Sequence, residues 1–360
     1  MRYKTSFISV AGKTKTENIL GAGTMQYDVN DFEFEKSLRI LSFLKDARTE
    51  EECKTFLYRE QIPEEFFRRL IRHKMITNYE KNFVKKDEMH FKNSLYLETV
   101  VSNPDTTEKN FNKSIIIIVG CGGIGNFMSY SLGSFNPKKI ILIDGDRIEK
   151  SNLNRQFMFN ESDIGEYKSK VLARELKRRN STLNVIEISQ YVTENILDSL
   201  LKDLEKEDVP LGILSGDTDQ ALLATTRSFA RYSIPFLNVG YLNDISVIGP
   251  FYIPRISACP LCNNTFSIKI DCNNDIISRE VDELNKRSSA PSAFNNNALA
   301  ASMATSDIIQ YMDGNYQQIK SLNARFGVNN VTFETYKIDT YIDKNCEYCG
   351  CNENSSRATY

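Results

Sequence analysis

A glycine cluster and one aspartate have the residue types and spacing that could hold a nucleotide. The stretch from Gly120 to Gly125 reads G-C-G-G-I-G, directly follows a β-branched run, and precedes a second apolar run that ends in Asp144. Glycines allow a tight turn and bring backbone N–H groups near phosphates, and an acidic residue after the next strand can bind ribose hydroxyls. The pattern predicts nucleotide contacts by Gly120, Gly122, Gly123, Gly125 and Asp144, and by itself it fits NAD as well as ATP.

The segment that follows Asp144 is rich in polar and cationic side chains. It contains D-G-D, then N-L-N-R-Q at residues 152–156, and later a lysine at position 168. A dehydrogenase has no need of these groups, whereas an enzyme that stabilises charge on a reacting phosphate does. The segment therefore favours ATP over NAD.

This series of motifs resembles that of the E1-like adenylating enzymes, the family that includes ThiF, MoeB, the ubiquitin-activating enzymes and MccB. The family pattern is a G-x-G-G-x-G turn, D-x-D, N-L-x-R-Q and a lysine further on, and all these elements occur here in order. The resemblance implies that the protein uses ATP and Mg²⁺ to adenylate a carboxylate.

The resemblance also implies roles for individual residues. It predicts ATP contacts by six polar residues of these motifs: Asp144, Asp146, Asn152, Arg155, Gln156 and Lys168. Arg155 and Lys168 would be catalytic, because they would neutralise charge as pyrophosphate leaves. The family's Mg²⁺-binding aspartate matches Asp217 rather than Asp219. These roles fit the chemistry, since an ionised carboxylate that attacks a phosphate needs positioning and charge compensation rather than a strong base.

Four of the eight cysteines form two C-x-x-C pairs, Cys259 with Cys262 and Cys346 with Cys349. Four thiolates bind Zn²⁺ tetrahedrally and leave no open position, so such a site is structural. We predict a structural zinc site that ties the C-terminal end of the chain to the sheet, with redox-active cysteines or free thiols as alternatives. Cys351 is a nearby candidate, but the C-x-x-C spacing favours Cys349.

Cys272 and the two histidines are weaker candidates for chemistry. In the E1-like branch that transfers activated proteins, a catalytic cysteine follows the first zinc pair, and Cys272 lies in the matching stretch. No histidine lies near Cys272 in the sequence to activate the thiol, so we expect no thioester there. His73 and His90 lie outside the predicted sheet and are expected to be structural or on the surface.

Within the E1-like family the sequence is most similar to the MccB-like and pantocin-pathway (PaaA-like) enzymes, which modify ribosomal peptides. The similarity rests on residues 238–250 and on the asparagine-rich segment 292–298. It implies substrate contacts by four residues of the first segment: Asn238, Tyr241, Asn243 and Asp244. The alternative is that 238–250 is only a strand with a hairpin turn.

The resemblance further implies a homodimer with shared active sites. Family members carry an arginine before the nucleotide domain that reaches the γ-phosphate bound by the partner subunit. The matching position here is Lys92, which would be catalytic by this analogy. Lysine keeps the positive charge but lacks the planar bidentate group of arginine.

The elements that must position these residues alternate between strands and helices. The β-branched runs predict strands at 114–119, 139–143, 185–188, 211–215 and 235–239. Helical stretches separate them, at 168–180 and 219–232 among others. This alternation predicts an α/β fold with a doubly wound, Rossmann-like, mostly parallel sheet, the adenylation domain of the E1-like family.

The first hundred residues predict a small α+β module with a winged-helix-like topology. A strand is expected at 7–10, helices over 34–44 and 63–74 with Pro63 in the first turn, and an extended segment at 75–83. By resemblance, this module is a clamp that grips a precursor peptide by adding a strand.

The motifs and predicted elements divide the chain into three segments. We predict an N-terminal peptide-recognition module at 1–102, a linker at 103–113 and an adenylation domain at 114–360. The linker is inferred from its polar composition and its proline.

Composition excludes several classes of function. A net charge of −2 provides no basic field for nucleic acids. The longest apolar run, 115–119, is far shorter than the roughly 20 residues that span a bilayer. The first residues lack the apolar core of a secretion signal. We expect a cytoplasmic protein with neither nucleic acid nor membrane as a partner.

We therefore predict ATP- and Mg²⁺-dependent adenylation of a carboxylate on a ribosomally synthesised precursor peptide, in the biosynthesis of a peptide antibiotic. The adenylate would serve cyclisation or dehydration within the peptide, or attachment of the nucleotide. One alternative is activation of the C-terminus of a ubiquitin-like sulfur-carrier protein, as in ThiF and MoeB. The other is an NAD-dependent oxidoreductase.

Overall fold

A computed structural model describes most of the chain. It covers residues 1–78, 88–216, 218–262, 280–281, 283–284, 287 and 290–350. The chain divides into two units, Met1–Pro104 and Asp105–Tyr360. The predictions for Asp217, Cys272, Cys351 and the extended segment beyond residue 78 lie outside the described residues. Among those described, no helix combines the length and apolar character needed to cross a membrane.

Over the described residues, the first unit contains two small antiparallel sheets, four α-helices and one short 3₁₀ helix, Gly23–Met25. Its strands are Arg2–Thr5 (β1), Ala11–Lys13 (β2), Asn18–Leu20 (β3), Tyr27–Val29 (β4), Arg48–Thr49 (β5) and Ile76–Asn78 (β6). In one sheet β1 lies between β5 and β6, and in the other β3 lies between β2 and β4. Its helices are Asp31–Phe43 (α1), Glu50–Arg59 (α2), Glu64–Arg72 (α3) and Phe91–Val100 (α4). These elements confirm a small α+β module.

Two features of this unit differ from the sequence-based expectation. The strand predicted at 7–10 is wrong, because the first strand is β1 and the side chains of Phe7 and Val10 are both 52% exposed. Helix α2 was not predicted, because half of its residues are charged and it buries only Cys53 and Leu57. The side chain of Thr49 and that of Glu52 form a capping box that starts this helix.

The second unit is built on one sheet, which is eight strands wide over the described residues. Its strands are Ser114–Val119 (β7), Lys139–Ile143 (β8), Val185–Ile188 (β9), Val209–Leu214 (β10), Phe236–Leu242 (β11), Ile245–Tyr252 (β12), Ala324–Asn329 (β13) and Thr335–Asp339 (β14). Their order is β14-β13-β12-β11-β10-β7-β8-β9. The five neighbouring strands β11, β10, β7, β8 and β9 pair in parallel. Strands β12, β13 and β14 extend the sheet beyond β11 with antiparallel pairing.

Helices cover this sheet and complete an α/β fold. They are Pro104–Asn112 (α5), Gly123–Gly133 (α6), Lys168–Arg179 (α7), Glu194–Lys202 (α8), Asp219–Arg231 (α9) and Phe294–Asp313 (α10). Every residue of β7 is buried, as expected for a central parallel strand with both faces covered. The prediction of a doubly wound, mostly parallel sheet is confirmed, and the ends of β7, β8, β10 and β11 are where ligands bind in such folds.

The segment predicted as a linker is largely helical. Helix α5 buries Thr107 and Phe111. Thr107 Oγ1 donates to Asp313 Oδ1 over 3.1 Å, and Asn110 Nδ2 donates to the Met312 carbonyl over 2.7 Å. The polar side chains of this segment therefore form hydrogen bonds with the end of α10, and the segment is not an irregular linker. The predicted domain limits otherwise stay a prediction.

Candidate active site

The turn between β7 and α6 is tight and is packed by its own glycines. Gly120 has a φ of +97°, and a Cβ there would lie 2.7 Å from the backbone nitrogen of Gly216. Such a conformation favours glycine. Gly125 packs directly against the carbonyl of Gly120. Helix α6 begins at Gly123, so its first N–H groups point out of the turn, where they can bind an anion.

Asp144, at the end of β8, holds this turn through backbone hydrogen bonds. One of its carboxylate oxygens accepts from the Cys121 N–H over 2.6 Å, and the other accepts from the Asp146 N–H over 2.7 Å. Burial raises the pKa of Asp144, although these two N–H groups oppose that effect. Each oxygen keeps a further lone pair, so hydrogen bonds from a ribose remain chemically possible.

Asp146 binds two donors that approach from different elements. Its Oδ2 lies 2.8 Å from the ammonium of Lys168, the first residue of α7, and its Oδ1 accepts from the hydroxyl of Tyr191 over 2.8 Å. Partial burial alone raises the pKa of Asp146, but the hydrogen bonds from Lys168 and Tyr191 outweigh it and lower the pKa. Tyr191 was missed in the sequence because no motif marks it.

The predicted N-L-x-R-Q segment forms a compact loop whose first residue is structural. Asn152 is buried, and its Oδ1 accepts from the Glu149 N–H over 3.0 Å. Its backbone carbonyl accepts from the N–H groups of Arg155 and Gln156. Asn152 thus shapes the loop that presents Arg155 and Gln156.

Arg155 and Gln156 line the same space as the glycine turn between β7 and α6. The guanidinium of Arg155 donates to the Ser151 carbonyl over 3.0 Å and to Asn154 Oδ1 over 2.8 Å. Gln156 is buried, with its Nε2 near Gly122. The loop is joined to α6 because Asn126 Oδ1 accepts from the Met158 N–H over 3.0 Å.

A cavity of about 460 Å³ brings most of the predicted site residues together. Those that line it are Gly120, Gly122, Gly123, Asp144, Asp146, Arg155, Gln156, Lys168, Asn238 and Tyr241. Lining residues that the sequence-based reasoning did not select include Ser215, Asp219, Asn297 and Arg325. The glycine turn between β7 and α6 and residues of β11 and β13 therefore line one cavity.

Other predicted residues lie elsewhere among the described positions. Asn243 and Asp244 form the hairpin turn between β11 and β12, which is the alternative considered for this segment. The carbonyl of Asn243 accepts from Asn296 Nδ2, and Asp244 Oδ2 accepts from Asn329 Nδ2 over 2.7 Å. Their contact with a substrate stays a prediction. Lys92 lies on α4 in the first unit, so its catalytic role is likewise untested.

Asn297 connects the glycine turn between β7 and α6 to the start of α10. It is buried, and its side chain lies so close to Gly123 that a Cβ there would collide with it. Asn297 Nδ2 donates to Ser292 Oγ over 2.9 Å and to the Ala293 carbonyl over 2.6 Å. The asparagine-rich segment thus packs against the glycine turn.

The four paired cysteines form a cluster with the dimensions of a zinc site. Sγ–Sγ distances are 3.8 Å for Cys259–Cys262, 3.7 Å for Cys259–Cys346 and 3.4 Å for Cys262–Cys349, and all four atoms lie within 4.8 Å of one another. Tetrahedral Zn–S bonds of about 2.3 Å place sulfurs about 3.8 Å apart. The cluster therefore fits zinc.

The arrangement is that of a known family. The chain matches the ThiF family over residues 97–351, and it therefore belongs to the ThiF family. Its class is the E1-like, ATP-dependent enzymes that adenylate carboxylates. The NAD-dependent alternative is thereby set aside.

Solved structures of E. coli MccB resemble this chain along its whole length. MccB with N-formylated MccA has a TM-score of 0.83 and 27% identity, over 97% of this chain and 100% of that one. MccB with ATP has a TM-score of 0.80 at 27% identity, also over 97% of this chain and 100% of that one. PaaA, at 16% identity and a TM-score of 0.67 over 94% of this chain and 100% of that chain, shares the fold.

Curated relatives match over shorter stretches. The NEDD8-activating enzyme E1 catalytic subunit of Schizosaccharomyces pombe is 42% identical over 77 residues, which are 21% of this chain and 17% of that protein. The ubiquitin-like modifier-activating enzyme 1 of Homo sapiens is 31% identical over 174 residues, which are 45% of this chain and 16% of that protein. The chain thus corresponds to a small part of these relatives.

Proposed function

We propose that this protein adenylates a carboxylate of a ribosomally synthesised precursor peptide, with ATP and Mg²⁺, as a step in making a peptide antibiotic. The observation that carries the proposal is the cavity in which Arg155 and Lys168 share one space with Asn238, Tyr241 and Arg325. The likeness to MccB, which was solved with ATP and with MccA, supports a peptide as the second substrate.

In the proposed reaction, a carboxylate oxygen of the peptide attacks the α-phosphorus of ATP. The bond from that phosphorus to the bridging oxygen breaks, and pyrophosphate leaves with the electron pair. The N–H groups of the glycine turn bind phosphate oxygens, and Asp144 orients the ribose. Arg155 and Lys168 compensate the charge that builds up on the phosphates. Mg²⁺, for which Asp217 is the proposed ligand, would supply further charge compensation when bound.

The wall formed by β11 and β13 is the proposed place for the peptide. Arg325 is a half-buried cation on this wall, and burial lowers the pKa of its guanidinium. A cation in partly desolvated surroundings attracts an anion more strongly than one in water. We therefore assign Arg325 to the carboxylate end of the substrate, with Asn238 and Tyr241 as hydrogen-bonding groups.

The remaining assignments belong to the same proposal. The first unit would recognise the precursor peptide, the protein would form a homodimer, and Lys92 would act on the ATP of the partner subunit. The four cysteines would hold a structural zinc ion. The stretches shared with ubiquitin-activating enzymes favour a second candidate, activation of a ubiquitin-like carrier protein.

Exchange of radiolabelled pyrophosphate into ATP tests the proposal. The purified protein would be assayed with synthetic peptides encoded by short reading frames beside its gene, and with a ubiquitin-like sulfur carrier. We expect exchange that depends on a peptide and disappears in Lys168→Met. Exchange with the carrier alone would favour the second candidate, and no exchange with either would contradict adenylation.

A further inference from the structure

Tyr191 lies just beyond β9 and has no part in the proposed chemistry. Its hydroxyl donates to Asp146 Oδ1 over 2.8 Å, while the other oxygen of that carboxylate lies 2.8 Å from Lys168 Nζ. Tyr191 as a whole is 68% exposed, so the hydroxyl bond is a specific contact rather than a by-product of core packing. One carboxylate therefore joins an exposed tyrosine to a lysine that lines the cavity.

The position of Tyr191 depends on the glycine of D-G-D. A Cβ at Gly145 would lie 2.7 Å from the backbone nitrogen of Tyr191 and 2.9 Å from its ring carbon Cδ2. Real Cβ atoms do not approach other atoms so closely, so a larger residue would displace Tyr191. A second link, the 3.1 Å hydrogen bond between Ser169 and Ser189, joins the start of α7 to the same segment.

In the proposed ATP complex, the ammonium of Lys168 would have two anionic partners, Asp146 and the phosphates. The ammonium has three donors and is bound to Asp146 here, while its backbone N–H also donates to the Asp146 carbonyl over 3.0 Å. The phosphates of ATP would compete with Asp146 for the same ammonium. The more negative charge Asp146 retains, the more firmly it holds Lys168 away from the phosphates.

We propose that Tyr191 is a positioning residue that controls how tightly Asp146 holds Lys168. The phenol hydrogen bond draws charge from one carboxylate oxygen and fixes the plane of the group. Lys168 is then oriented by Asp146 yet is released to ATP when the nucleotide binds. Tyr191 acts through Asp146 and need not touch the nucleotide. This inference rests on the proposed ATP site but not on the identity of the peptide.

A double-mutant cycle on nucleotide affinity tests this role. The full-length protein would be titrated calorimetrically with the Mg²⁺ complex of α,β-methylene-ATP. Tyr191→Phe removes one hydroxyl and keeps the ring, and we expect binding about threefold to tenfold weaker. In Asp146→Asn protein the same substitution should change the dissociation constant by less than about twofold, because the coupling passes through that carboxylate.

Matched variants separate this role from others. Tyr130→Phe, at an exposed tyrosine of α6, should bind like the wild type. Gly145→Ala should weaken binding in the same direction as Tyr191→Phe. An unchanged affinity in Tyr191→Phe would overturn the proposal, as would an equal loss in the Asp146→Asn background. Normal binding by Tyr191→Phe with weak binding by Tyr191→Ala would instead assign a ring contact. None of these results depends on whether a peptide is adenylated.

Discussion

The backbone N–H of Met158 donates to the side-chain oxygen of Asn126 over 3.0 Å, in a part of the protein that is closed to solvent. The amide nitrogen of the same asparagine donates to the carbonyls of Cys121 and Gly122, each over 3.0 Å. One side chain thus ties the glycine turn to the loop that carries Arg155. Asn126 therefore links the two parts of the proposed phosphate site.

Asn126→Ala should weaken both folding and nucleotide binding. It would leave buried polar groups of the turn and loop without a partner, which lowers the free energy of unfolding by about 1–3 kcal/mol per group. Chemical denaturation and ATP titration would measure the two effects. Asn195→Ala, at an exposed position in the first turn of α8, is the control and should change neither. Normal ATP affinity in Asn126→Ala would refute the linking role.

Arg155→Ala should slow pyrophosphate exchange while leaving the fold intact. Removing one donor that stabilises developing charge lowers catalytic rates by about 10²- to 10³-fold. Within the described residues, the side chain of Arg155 donates to Ser151 and Asn154 of its own loop, so the melting temperature should hardly move. Arg178→Ala on the exposed face of α7 is the matched control. A rate within a few-fold of the wild type would remove Arg155 from the catalytic set.

Arg325→Gln should impair use of the carboxylate substrate without changing ATP affinity. A charge-assisted contact of this kind contributes on the order of 1.5–3 kcal/mol, so the KM of an exchange-supporting peptide should rise by about tenfold or more. Arg325→Lys keeps the charge and should lie between the wild type and the glutamine variant. If ATP affinity falls while the KM of the peptide stays unchanged, Arg325 belongs to the nucleotide side of the cavity.

Cys346→Ser should abolish metal binding and lower thermal stability. The wild type is expected to carry one zinc ion per chain, because the four Sγ atoms fit tetrahedral coordination. Elemental analysis together with thermal unfolding would show both effects. Cys53→Ser, which changes a buried thiol of the first unit, should keep the metal even where stability falls. A wild-type protein purified without zinc would contradict the site.

The parts of the site that could be predicted from sequence are those encoded by short, local patterns. The glycine turn, the parallel strands and the C-x-x-C pairs each depend on neighbouring residues along the chain. Strand β7 is an example, since a run of β-branched residues predicts a strand buried on both faces. Such patterns also determine which residues follow each strand, and therefore which meet at one edge of the sheet.

The parts that escaped prediction depend on contacts between distant segments. Arg325 reaches the cavity only because β13 pairs with β12, and Tyr191 matters only because β9 lies beside β8. The polar composition of α2 and α5 hid the fact that both segments are helices. A few buried side chains are enough to pack a charged or polar helix against the rest of the protein. The apolar residues at 7–10 caused the opposite error, because they suggested a buried strand where Phe7 and Val10 are exposed.

The spacing of the cysteine cluster bears on the unfolded chain as well as on the folded one. Cys259 and Cys346 are 87 positions apart, and the segment between them includes α10, β13 and β14. A metal ion shared by the two cysteine pairs would close this segment into a ring and reduce the conformational entropy of its denatured ensemble. Since Asn297 and Arg325 lie inside the ring, metal supply would influence how reliably the substrate wall assembles, although the metal touches no substrate.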